Sequence, residues 1–215
     1  MGWLVPEIDL RSSIGPVRDQ GPRPTCMAFT GTCLRESELD VSDVLSPQWL
    51  YHFGNKHSGG LGGMTVGGLA EALGSDGNVP ERQCPYQTTQ DLNWSPPAGL
   101  SGGFRARLSA SSADFDIATN TIRNHRTVGL ALYPDDSFFY SRLNSNGLLV
   151  QPSNRPQPGG GHAVTVVGLA KWEGDTILLL RNSWGDGWGH LGYAYIGRSH
   201  FTSISFAQFT LEHPT

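Results

Sequence analysis

Cysteine is scarce. Cys26, Cys33 and Cys84 are the only three in 215 residues, too few and odd in number for a disulfide framework, so a reducing compartment is the simplest reading. Lysine is scarcer still, present only at Lys56 and Lys171 against thirteen arginines. The net charge is −4 with no basic run, so the electrostatic footprint of a nucleic-acid binder is missing. No apolar stretch approaches the ~20 residues of a membrane span. The start, M-G-W-L-V-P-E, lacks the basic head and apolar centre of a signal peptide. There is no internal repeat. No cysteine pairs with His52, His57 or His190 at metal-ligand spacing, so neither a metal nor any other cofactor is expected. Without a leader, the expected location is the cytoplasm, its own or that of a target cell.

Hydrophobic residues make up 38% of the chain and charged residues 16%, an ordinary globular composition with enough length to bury a full core. The first half reads as helix and loop. Apolar spacing predicts helices over Cys26–Leu39, with Thr25 as cap, over Pro47–Phe53, and over Val66–Leu73, stopped by Gly74. The second half changes period. Strands are expected over Phe104–Ala110, Val128–Tyr133, His162–Leu169, Thr176–Asn182 and Tyr193–Gly197, with one helix over Ala113–His125 between them. Gln151 to Gly161, Q-P-S-N-R-P-Q-P-G-G-G, is a loop by composition. The expected fold is α+β in a single domain, 1–215: a helical lobe over about 12–103 and a strand-rich antiparallel lobe over about 104–215 plus the N-terminal segment. A cleft between them is the natural place for a site.

Three segments carry the chemistry. In Q-G-P-R-P-T-C-M-A-F, Cys26 stands at a helix start, where the dipole and unpaired N–H groups favour a thiolate. Read alone, that segment fits a packing cysteine equally well. In G-G-G-H-A-V-T-V-V-G, His162 opens a strand and can face a cleft, although a lone loop histidine on the surface is the blander reading. In L-L-L-R-N-S-W-G-D-G-W-G, Asn182 ends a strand. Its amide oxygen can accept from a histidine ring N–H while Trp184 shields the pair; a turn asparagine explains N-S but not the tryptophans among glycines. Taken together they make a catalytic set of nucleophile, base and orienter, with the Gln20 amide and the Cys26 backbone N–H as oxyanion donors.

Here the sequence resembles the papain family of cysteine peptidases over nearly its whole length. P-E-I-D-L-R, P-V-R-D-Q-G before C-M-A-F, L-S-P-Q-W-L-Y, G-G-L-G-G-M, G-N-V-P-E-R-Q-C-P-Y and F-F-Y-S-R-L-N-S-N-G follow the family's order. R-N-S-W-G-D-G-W-G-H-L-G-Y is its most specific run. The resemblance implies the papain-like two-lobed fold and peptide hydrolysis through an acyl-enzyme. Cys26 would be the nucleophile, charged as thiolate against a His162 imidazolium, with Asn182 orienting the ring and Gln20 donating to the oxyanion. It also implies substrate hydrogen bonds at Gly62 and Gly63, and a side-chain pocket lined by Met64, Thr65, Ala131, Gly160 and Ala163. Gly159 to Gly161 leave the wall beside His162 open.

The departures are as informative. Arg23 and Gly60 stand where the family carries a bridged pair of cysteines, Phe53 stands at another bridge position, and Met27 replaces a large aromatic. The pattern looks more like disulfide-free bacterial relatives, and Cys33 and Cys84 read as packing residues. No inhibitory propeptide precedes the motif; either one was removed, or control is expected from narrow specificity, from delivery into another cell as in a bacterial effector or toxin protease, or from an inhibitor or immunity protein. The expected partners are thus a protein or peptide substrate and such an inhibitor, with no nucleic acid and no membrane. Two other classes share these residues: an acyltransferase or deamidase using the same triad, and a non-catalytic binding module.

Overall fold

The computed structural model describes residues 4–39, 44–60, 62–89, 91, 93–149 and 160–212. Its helical half holds α1 (Cys26–Glu36), α2 (Pro47–His57) and α3 (Val66–Glu71), the last running into a π-type turn over Ala72–Asp76. α2 starts where Pro47 fixes the first turn and the Ser46 hydroxyl accepts from Trp49 N at 3.1 Å. α1 starts differently from expectation. Thr25 makes no cap bond, because its hydroxyl pairs instead with the Tyr86 hydroxyl at 2.8 Å. α1 also stops at Glu36, short of Leu39, while α2 continues past Phe53 to His57.

The other half is one antiparallel sheet of seven strands: β1 (Leu4–Asp9), β2 (Leu108–Ser112), β3 (Val128–Leu132), β4 (His162–Trp172), β5 (Asp175–Arg181), β6 (Tyr193–Gly197) and β7 (Ser205–Leu211). They lie in the order β2-β7-β3-β4-β5-β6, with β1 also on β4. β4 is almost wholly buried, as its V-T-V-V-G-L-A run requires. Its first part pairs with β3 and its last part with β1, the ladder shifting near Val167. Three helices flank the sheet: α4 (Phe115–Arg123), capped by Asp114, α5 (Asp136–Phe139) and α6 (Arg198–Ile204). The strand expected from Phe104 forms only from Leu108, because Phe104 N and Ala106 N bond to the carbonyls of Asn78 and of Leu73 in the π-type turn instead of a neighbouring strand. β1, β7, α5 and α6 were not anticipated. The expected loop over 151–159 lies outside the described residues.

α1 packs across the sheet, so that Met27, Ala28 and Leu34 share a core with Ala131, Ala163 and Phe209 of three different strands. A second core of Phe115, Ile122, Leu130, Phe138, Val166 and Leu180 lies on the sheet's other side. The start of α1 and the start of β4 therefore meet at one place, and that place is the cleft.

Candidate active site

β4 begins at His162 and β5 ends one residue before Asn182. Their antiparallel pairing brings the two side chains together, with His162 Nε2 and Asn182 Oδ1 at 2.7 Å. Only the ring can donate to an amide oxygen, so the proton sits on Nε2 and Nδ1 is left as the acceptor. Asn182 Oδ1 also accepts from Ser183 N at 2.8 Å, which fixes the amide. Both residues are buried. The Trp184 ring lies 4.5 Å from the His162 ring, and Phe138 approaches edge-on at 5.8 Å. A turn through Gly192, whose φ of 88° suits glycine, returns a carbonyl to Asn182 N at 3.0 Å.

Gln20 is held on every polar atom. Its N donates to Ser183 O at 2.8 Å, and its O accepts from the Tyr86 hydroxyl at 2.7 Å. Oε1 accepts from Ser183 Oγ at 2.7 Å, and Nε2 donates to Arg23 O at 2.7 Å. The second hydrogen on Nε2 is left for whatever occupies the cleft. Cys26, at the first position of α1, is half-buried, and the backbone N–H groups of Ala163, Met27 and Cys26 face its sulfur.

A cleft of about 570 Å³ joins these parts. Gln20, Cys26, His162 and Trp184 line it, with Asn182 behind His162. So do the expected pocket residues Gly63, Met64, Thr65, Ala131, Gly160, Gly161 and Ala163. Gly62 does not: it is exposed at a turn with φ 82°, one residue outside the wall. Ala131 pairs with Ala163 on one side and Ala207 on the other, which keeps that wall shallow. Met64 lies against Gly54 of α2, where an added Cβ would sit 2.0 Å from its sulfur. Pro24, Met27, Val66, Pro134, Phe139 and Phe206 complete the lining. Phe206 was missed because β7 was missed; the alternation in S-F-A-Q-F-T-L was the available signal.

Burial sets the resting electrostatics. It pushes the Cys26 thiol up, against the pull of the N–H groups around the sulfur. It also lowers the His162 imidazole to about 4, with the Asn182 bond opposing. Both shifts come from the burial of each group by itself, and they count against the ion pair expected from the sequence. The helix-start argument had counted the dipole and not the loss of water.

A family profile described as papain family cysteine protease matches residues 4–210. The chain belongs to this family. Among its papain-family relatives, Peptidase 1 of the mite Dermatophagoides farinae is 29% identical over 196 residues, which are 88% of this chain and 60% of the mite protein. The chain thus spans well under two thirds of that relative. Procathepsin L2 of Tenebrio molitor superposes with a TM-score of 0.77 at 24% identity, over 95% of this chain and 67% of the other. Bromelain of Ananas comosus, solved in complex with the E64 inhibitor, gives 0.72 at 20% identity over 96% and 98%. These two show the papain-like α+β fold. The mite relative lends no support to a bacterial origin.

Proposed function

We propose that this chain is a cysteine endopeptidase whose nucleophile is Cys26. The observation that carries the reading is the 2.7 Å bond between His162 and Asn182, which sets His162 on the same cleft as the Cys26 thiol and the Gln20 amide. Cys26 attacks the scissile carbonyl while His162 Nδ1 takes its proton. Gln20 Nε2 and the Cys26 N–H hold the oxyanion, and His162 returns the proton to the leaving amine. Water then releases the acyl group. The proton moves within the Cys26–His162 pair, so no net charge is buried at this step.

Among the described residues, the cleft lining carries no carboxylate, lysine or arginine. That supports cleavage within a chain, since nothing there pairs with a terminal ammonium or carboxylate. It also supports a preference for apolar side chains beside Met64, Val66, Ala131 and Phe206. The helical residues from about 12 to 103 and the strand-rich residues beyond them form the two cleft walls of one domain. All three cysteines are free, which supports action in a reducing cytoplasm, its own or a target cell's. There the chain acts as an effector of narrow specificity, held in check by an inhibitor or immunity protein.

Wild type and Cys26→Ala are each added to a native lysate and new N-termini are counted by mass spectrometry. The expected result is a small set of internal cuts sharing an apolar residue near the cut, absent with Cys26→Ala. Hundreds of unrelated cuts would defeat the narrow reading, and identical patterns for the two proteins would defeat the peptidase itself. Gln20→Ala is expected to lower kcat by about 10²–10³ with little change in KM.

A further inference from the structure

Arg23 is a buried cation, only 5% exposed, and among the described residues its hydrogen bonds and ring contacts are with neutral groups. Nη1 donates to Gln48 Oε1 at 2.7 Å and to the Gln87 carbonyl. The guanidinium lies between two rings, 5.1 Å from the Tyr51 centroid and 5.0 Å from that of Tyr86. Burying a charge among neutral groups is expensive, and the two ring faces offset part of that cost. Gln48 and Tyr51 belong to α2 and are themselves buried. The anchor is therefore a rigid helix.

The other end of the residue reaches the candidate active site. The Arg23 carbonyl accepts from Gln20 Nε2 at 2.7 Å and from Thr25 N at 2.8 Å. Tyr86, stacked on the same guanidinium, donates its hydroxyl to Gln20 O at 2.7 Å and pairs with Thr25 Oγ1 at 2.8 Å. Its ring meets Phe29 of α1 edge-on at 4.8 Å. Gln20 and the start of α1 are thus both tied to α2 through one side chain.

We propose that Arg23 is a positioning residue whose guanidinium, clamped between α2 and Tyr86, holds the carbonyl and the phenol that aim the Gln20 amide into the cleft. This rests on the reading of Gln20 as oxyanion donor. The clamp stands where the resemblance places a half-cystine, so the tie to the helical half is made here by a cation. It does not depend on redox state.

The test compares wild type, Gln20→Ala, Arg23→Met, Tyr86→Phe and the double variant Gln20→Ala/Arg23→Met on one peptide amide. Each is normalised to active sites titrated by alkylation of Cys26. Arg23→Met is expected to lower kcat about tenfold, since a small misplacement of a catalytic group is enough for that. KM and the alkylation rate of Cys26 should stay within about twofold. The double variant should lose no more than Gln20→Ala alone, because Arg23 acts through Gln20. Losses that multiply in the double variant overturn the proposal, as does an unchanged kcat in Arg23→Met beside a lowered one in Gln20→Ala. An unchanged kcat in Gln20→Ala overturns the reading of Gln20 and this proposal with it. Should Arg23→Met not fold, Tyr86→Phe carries the same comparison: a several-fold loss of kcat at constant KM supports the clamp, and no loss overturns it.

Discussion

Three thiols in one chain behave differently because of where each side chain ends. Burial pushes all three pKa values up, so thiolate fraction does not separate them; access does. Cys33 is 3% exposed and accepts from Arg181 Nη1 at 3.3 Å, and Cys84 is 1% exposed in a cluster with Trp49 and Val79. Cys26 alone faces the cleft. Brief treatment with iodoacetamide followed by peptide mapping should find Cys26 modified well before the others; equal labelling would show that the cleft is closed to the reagent. His162 adds a pH dependence. Its ring titrates at about 4 in the fold but near ~6.5 in the unfolded chain. The unfolded state therefore binds a proton first as pH falls, and stability drops between those values, by up to about 3 kcal/mol. His162→Asn should lack this loss in acid melts. If wild type instead gains stability over His162→Asn on acidification, an imidazolium is retained beside a thiolate.

α5 is only four residues long, yet it holds the aromatic wall of the candidate active site. The Asp135 carboxylate accepts from Phe138 N and Ser137 Oγ, each at 3.0 Å, and from His200 Nε2 of α6 at 2.6 Å. The Phe138 carbonyl in turn accepts from Trp188 Nε1 at 2.8 Å, and its ring meets His162, Trp184 and Trp188. Burial raises the Asp135 pKa, but the His200 and Phe138 N–H bonds outweigh it and hold the group below its ordinary value. Its contribution is therefore lost only below the usual carboxylate range, outside the His162 window. Both members of the pair are 2% exposed, and losing a buried hydrogen bond to a charged group costs roughly 2 kcal/mol. Asp135→Asn should lower the unfolding free energy obtained from a urea titration by that amount at neutral pH. A loss under about 1 kcal/mol would mean that ring packing alone seats α5.

The whole molecule is joined by buried polar contacts as well as by its core. Arg18 donates to Glu36 at 3.0 Å, to Thr32 Oγ1 at 3.1 Å and to the Leu45 carbonyl at 2.8 Å. Arg181 of β5 reaches the Pro16 carbonyl and Cys33 of α1. These contacts and the Arg23 clamp bind loops and helices without any sulfur bridge, since every cysteine is free. Melting temperature should therefore be the same with and without millimolar dithiothreitol. Removing a native disulfide typically costs ~2–5 kcal/mol, so a fall of several degrees under reductant would reveal a bridge.

That Gln20, Cys26, His162 and Asn182 would meet at one candidate site was legible from residue type and local setting, as were α2, β3 and β6 to within a few residues. Each of those signals lies in a short stretch: a cap, an apolar period, a turn glycine. What lay beyond reading was whatever depends on neighbours distant in the chain. The dipole at a helix start speaks for a thiolate, whereas the packing of α1 against β3 and β4 buries part of Cys26 and raises its pKa. Arg23, noticed only as a replacement, becomes a clamp once α2 and Tyr86 close on it. Phe206 reaches the cleft wall through the pairing of β7 with β3, and a strand's own alternation does not say which strand it will join or which of its faces will be covered.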